Sequence, residues 1–133
     1  MQKLIISEEK LNSSKPTALI SLKGTIETTN ASTLEEALER LINEQCFRIA
    51  VDLSGVTYIS SAGWGIFISE IKRIRGNGGD IKLAAMTPEV REVFDLLEFN
   101  NILKPYSSKD EALLAFAASA GSESPEPENN PRR

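Results

Sequence analysis

Apolar and polar positions change period several times along the chain, and each change marks a new element. Residues 3–9 and 17–23 are short β-favouring runs. In the second, Ala18, Ile20 and Leu22 alternate with Leu19, Ser21 and Lys23, the two-residue period of a strand. Positions 10–16 between them (KLNSSKP) hold turn formers and a proline, which predicts an antiparallel connection. The period then lengthens: Leu34, Leu38, Leu41 and Ile42 share one helical face, and Ser32-Thr33-Leu34-Glu35 predicts a capping-box start at Ser32. Residues 47–53 predict a central strand and residues 54–61 a loop. Trp64, Phe67, Ile68 and Ile71 line a second helix, which Lys72, Arg73, Arg75 and the run Gly76-Asn77-Gly78-Gly79 bring to an end. Residues 80–86 read as a further strand. Thr87-Pro88 opens a third helix lined by Val90, Phe94, Leu97 and Leu96. A short edge strand within 100–106 and a helix over 108–118 bearing Leu113, Leu114 and Phe116 complete the pattern.

The order ββαβαβα(β)α predicts an α/β fold: a small mixed, mostly parallel β-sheet covered by about four helices, with the first strand antiparallel. The chain's 133 residues suit a single domain, placed at 1–118. Residues 119–133 hold three of the six prolines and no Val, Ile, Leu or aromatic residue, so they are expected to form a disordered tail.

Composition removes several function classes. With 15 Lys+Arg against 19 Asp+Glu the net charge is -4, and a deficit of cations argues against direct nucleic-acid binding. No histidine is present, which excludes imidazole as base, shuttle or metal ligand. The single cysteine, Cys46, excludes an internal disulfide or a CxxC redox pair. The opening MQKLIISEEK is not a secretory signal, and no apolar run reaches membrane-spanning length, so a cytoplasmic location without membrane insertion is expected.

Candidate chemistry concentrates in residues 51–65, VDLSGVTYISSAGWG. This stretch leaves a parallel strand and enters a helix, the place where α/β proteins gather their sites. Ser60 or Ser61 falls in the N-cap region, among unpaired backbone N–H groups; the simplest local reading of such a serine is a cap. Gly63 and Gly65 each cost a helix about 1 kcal/mol relative to alanine, a cost that close approach by a neighbouring backbone or partner would explain. Ser61 as an enzyme nucleophile is the weaker idea, since Ile59-Ser60-Ser61-Ala62-Gly63 is not GxSxG and no histidine can serve as base. The glycines at 76–79 precede a strand, the reverse of a phosphate loop. Asp52, Asp80, Glu27 and Glu70 could gather around Mg²⁺, but no spacing requires it, and solvated surface acids are the plainer expectation.

The same stretch resembles the signature of STAS domains, specifically bacterial anti-sigma factor antagonists, in which an aliphatic-Asp-Leu strand leads to a D/S-S-S/T/A-G-L-G turn opening a helix. Leu22-Lys23-Gly24-Thr25-Ile26-Glu27 is similar to the family's G-x-[LI]-[DE] stretch, and the segment from Pro88 through Val93, Phe94, Leu97 and Phe99 fits as well. The resemblance spans roughly residues 3–117. It implies a non-catalytic switch. The phosphoacceptor would be Ser61, with Ser60 the second choice because it stands where many members carry aspartate. Partner contacts would come from Glu27, Ser60, Ser61, Ala62, Gly63, Trp64 and Gly65, Trp64 replacing the usual leucine and expected to be buried. The implied partners are an anti-sigma factor serine kinase and a serine phosphatase, with room for a weak homodimer. No cofactor is implied on this chain itself; ATP and Mg²⁺ would belong to the kinase. The alternative is a STAS scaffold subunit of a transporter ATPase or signalling complex that is never phosphorylated.

Overall fold

Alternation in the second strand sets the architecture. Ala18, Ile20 and Leu22 of β2 (Thr17–Ile26) face one side of a sheet and are almost wholly buried, while Leu19 turns to the other. The computed structural model of the protein describes residues 3–11 and 15–122. Within them β1 (Ile5–Leu11), β2, β3 (Arg48–Ile59), β4 (Asp80–Ala84) and β5 (Pro105–Tyr106) form one sheet in sequential order. β1 runs antiparallel to β2, with Ile5 opposite Lys23, and every other pair is parallel. The α/β expectation holds.

Three helices cover one face: α1 (Ala31–Asn43), α2 (Ser61–Gly76) and α3 (Pro88–Leu96). Leu34, Leu38, Leu41 and Ile42 of α1 join Phe67, Ile71 and Ile74 of α2 and Val90 and Phe94 of α3 over Ile49, Val51, Leu53, Ile81 and Leu83 of the sheet. Burying a large aliphatic or aromatic side chain contributes about 1.5–3 kcal/mol, so this layer holds the fold. The reverse face is thinner. There α4 (Lys109–Ser122) lays Ala112 and Phe116 over Leu19, Ala50 and Ala84. Phe116 lies between two cations, 5.2 Å from the Arg48 guanidinium and 4.7 Å from the Lys82 ammonium. The expected domain boundary at Ala118 falls inside α4, and residues 123–133 of the expected tail lie outside the described residues.

Several boundaries differ from expectation, each for a physical reason. α1 does not start with a capping box at Ser32. Its N-cap is Asn30, whose side chain reaches backwards, accepting from the Glu27 amide at 2.8 Å and donating to the Thr25 carbonyl at 3.0 Å. β3 continues through residues expected to form a loop, because its pairing with β2 shifts register past Ser21 and again past Gly24, ending with Ile26 beside Ile59. Gly24 makes the crossing possible: at φ +109° it occupies a backbone region that side chains disfavour, and a Cβ there would stand 1.8 Å from the Lys3 carbonyl oxygen. β4 stops at Ala84, since Ala85 adopts φ +59° and donates its N–H to the Tyr106 carbonyl at 2.9 Å. Leu96 and Leu97 do not line the core; both are exposed. The chain turns at Glu98, φ +59°, so that Phe99 swings back to the core instead. Leu114 of α4 is likewise exposed. The edge strand shrinks to two residues after a 3-10 turn over Phe99–Asn101.

Candidate functional site at the mouth of the second helix

The junction between β3 and α2 is fixed by backbone bonds. The Ser60 amide donates to the Ile26 carbonyl at 2.8 Å, and the Ser60 carbonyl accepts from Trp64 at 3.0 Å as the first bond of the helix. Ser60 is the N-cap: its backbone is extended, its side chain is buried, and its Oγ accepts the Gly63 amide at 3.2 Å. That bond satisfies one of the amides a helix start otherwise leaves unpaired. Ser61, the first helical residue, is exposed, and among the described residues its hydroxyl has no intramolecular hydrogen-bond partner. The two adjacent serines therefore play separate parts: one hydroxyl holds the helix and the other faces solvent.

The two glycines also separate. At Gly63 a Cβ would lie 2.6 Å from Ile26 Cγ2 and 2.9 Å from Ile59 Cγ2, so packing inside the molecule demands a bare backbone. At Gly65, which is exposed, a Cβ would meet nothing within 4 Å. No internal contact accounts for glycine there.

Trp64 is buried, 2% exposed, as expected. Its ring sits 5.0 Å from Phe99, 6.0 Å from Phe94 and 6.2 Å from Phe67, all at tilted angles that suit aromatic quadrupoles. Its indole N–H is buried and forms no hydrogen bond. Ser60, Gly63 and Trp64 thus shape the site from beneath, and the outer surface is offered by Ser61, Gly65, the half-buried Ala62 and the half-buried Glu27.

Glu27 follows Ile26, the residue bonded to Ser60, so it stands beside the helix mouth. Thr25 Oγ1 donates to its carboxylate at 2.7 Å, and Asn30 fixes its backbone amide. Sequence reasoning missed Thr25 and Asn30 as positioning residues. A signal was present in Thr28-Thr29-Asn30, a turn-forming cluster between a strand and a helix.

The four carboxylates weighed for a metal cluster do not assemble. Asp80 is engaged by Arg75 and Lys82, and Asp52 accepts the Ser54 amide. Nor is Glu70 a solvated surface acid: it is 1% exposed and meets Glu35 and Glu39 of α1 instead. Among the described residues, no helix is long and apolar enough to cross a membrane.

A strand running into an N-capped helix beside a second strand's acidic end, on a five-stranded sheet with one antiparallel edge, is the STAS arrangement, and the STAS domain family model matches residues 10–112. The chain belongs to the STAS domain family. It is 34% identical over 95 residues to BtrV of Bordetella bronchiseptica, named as a candidate anti-sigma factor antagonist, covering 71% of this chain and 82% of that protein. It is 29% identical over 84 residues to the anti-sigma-B factor antagonist of Bacillus subtilis, covering 63% of this chain and 76% of that protein. The solved structure of the anti-sigma factor antagonist SpoIIAA in its unphosphorylated form shares the fold: the TM-score is 0.72 over 86% of this chain and 97% of that one, at 16% identity. Both curated relatives are named as antagonists of anti-sigma factors, a regulatory role.

Proposed function

We propose that this chain is an anti-sigma factor antagonist switched by phosphorylation of Ser61. The observation that carries the reading is the division of labour between Ser60 and Ser61: the exposed hydroxyl can be modified while the buried one keeps the helix capped. The names of the relatives agree with the class of activity, and that of the SpoIIAA structure distinguishes an unphosphorylated form of that protein.

The chemistry is a phosphoryl transfer performed by the partner. Ser61 Oγ attacks the γ-phosphorus of ATP held with Mg²⁺ on an anti-sigma factor serine kinase. The bond from that phosphorus to the bridging oxygen breaks, ADP leaves, and the serine proton passes to a base on the kinase. The product carries roughly -1.5 to -2 charges at neutral pH. Free amides and the positive end of the α2 dipole tolerate that charge at the first helical residue, so the domain stays folded. The partner surface, fitted to a neutral hydroxyl and to the flat backbone at Gly65, meets bulk, lost solvation and the neighbouring Glu27 charge instead. Release follows, and with it the fate of the sigma factor; a serine phosphatase resets the chain.

The test is incubation of the full chain with the serine kinase and ATP, read by mass spectrometry. Phosphate should appear on Ser61, persist in Ser60→Ala and vanish in Ser61→Ala. Ser61→Asp should weaken binding to the kinase at least tenfold. Phosphate on Ser61→Ala, or an unchanged affinity for Ser61→Asp, defeats the proposal.

A further inference from the structure

The seam between α1 and α2 holds a carboxylate that the Ser61 switch does not use. Glu70 lies on α2 with its side chain 2% exposed, in a core layer otherwise built from apolar residues. Carboxylate oxygens of Glu70, Glu39 and Glu35 lie within 4.8 Å of one another. Among the described residues Arg73 is the cation that serves them, its Nη1 donating to Glu70 at 3.1 Å and to Glu39 at 2.9 Å. The next cation along α1, Arg40, turns away to Glu8 of β1 at 2.7 Å.

The charges do not balance. Three ionised carboxylates against one guanidinium leave two excess negative charges at a helix–helix contact, and one of the three acids has almost no access to water. Like charges at this separation, with one of them desolvated, favour retention of a proton by the buried member. Arg73 opposes that preference only in part, because it is half-exposed and divided between two acids. Burial is the largest influence on Glu70 and raises its pKa above the ordinary carboxylate value of 4.5; Arg73 pulls the other way, and Glu39 and Glu35 add to the rise.

We propose that the α1–α2 seam is a proton-operated latch, in which a proton held on Glu70 lets it sit against Glu39 across the helix contact and its loss loosens α1 from α2. The proton stays on Glu70 while Arg73 Nη1 bonds Glu70 Oε1 and Glu39 Oε2. On deprotonation the pair repels, and Arg73 is left to offset that repulsion beside the apolar contacts of the two helices. The latch is independent of the Ser61 proposal, since it needs neither kinase nor phosphate.

The sign follows from linkage. A group whose pKa is raised on folding stabilises the folded state below its unfolded value, and that stabilisation is lost as pH rises through the folded value. The window therefore opens at pH 4.5 and extends upward. The experiment is thermal unfolding of the full chain from pH 4 to pH 8 for wild type and Glu70→Gln. Glutamine keeps the shape of the protonated acid, with a donor for Glu39 and an acceptor for Arg73. Glu70→Gln should raise the melting temperature at pH 8 by about 3 °C or more, and the gain should fade as pH falls towards 4.5. A difference that stays constant with pH, or a variant less stable than wild type at pH 8, overturns the latch. Should the variant fail to fold, the carboxyl carbon of Glu70 in the wild-type chain, followed by NMR, gives the same answer. A titration midpoint above the ordinary carboxylate range upholds the proposal, and one at or below it overturns it.

Discussion

The Ser60 amide donates to the Ile26 carbonyl at 2.8 Å, so the end of β2 and the start of α2 are held as one unit. Glu27 and Ser61, the residues that follow each partner in this bond, thereby share one rim although 34 positions separate them in sequence.

The two serines should respond differently to alanine. Ser60→Ala removes the cap to Gly63 and should destabilise the protein by about 0.5–2 kcal/mol. Ser61→Ala removes an exposed hydroxyl that has no partner among the described residues and should stay within about 0.5 kcal/mol of wild type. Urea unfolding of both variants checks this; a larger loss for Ser61→Ala would reverse the assignment of the cap.

The glycines invite a paired experiment. Gly63→Ala drives a methyl into Ile26 and Ile59 and should cost about 1–3 kcal/mol of stability. Gly65→Ala adds a methyl in open space to a helix interior and should stabilise by about 0.5–1 kcal/mol. The same substitution should weaken kinase binding if a partner backbone lies against that surface. A variant that is both more stable and equally tight would show that Gly65 serves no interface.

Ala85 holds a left-handed backbone at φ +59°, where alanine is strained and glycine is not. Ala85→Gly should therefore leave stability unchanged or raise it by up to about 1 kcal/mol, the relief of strain exceeding the greater freedom of glycine in the unfolded chain. A clear loss in a denaturant titration would count against this turn.

Cys46 is buried, and desolvation raises its thiol pKa above the ordinary value, with the Arg48 backbone and the Lys10 charge opposing the shift. Thiolate is the reactive form. Labelling of the folded chain by a disulfide reagent at pH 8 should be slow and should accelerate sharply on adding denaturant. Equal rates in both conditions would contradict the burial.

Much of this architecture was legible because local period and burial agree. Leu34, Leu38, Leu41 and Ile42 form a complete stripe and all are buried; the run 47–53 is apolar enough to mark a central strand by itself. The rest depended on contacts remote in sequence. Residues 54–59 look like a loop because their buried members, Val56 and Ile59, stand three apart, a spacing produced by register shifts against β2. Ser32-Thr33-Leu34-Glu35 has the letters of a capping box, yet Asn30 ends the preceding turn first by bonding back to Thr25 and Glu27. Leu96 is the last residue of α3 and Leu97 its C-cap, so both fit the helical period, yet the helix ends there and both side chains stay outside the core. At the site, the resemblance pointed to Ser61, but nothing in the sequence separated a hydroxyl used as a cap from one left facing water.

The lopsided layering has a bearing on how such a module can be joined to others. On the side opposite the three packed helices, α4 sets Ala112 and Phe116 against a smaller patch of Leu19, Ala50 and Ala84. Fusions, tags or inserted modules attached behind that helix would therefore disturb little of the framework that supports the serine pair, giving engineers a permissive end on an otherwise tightly committed scaffold.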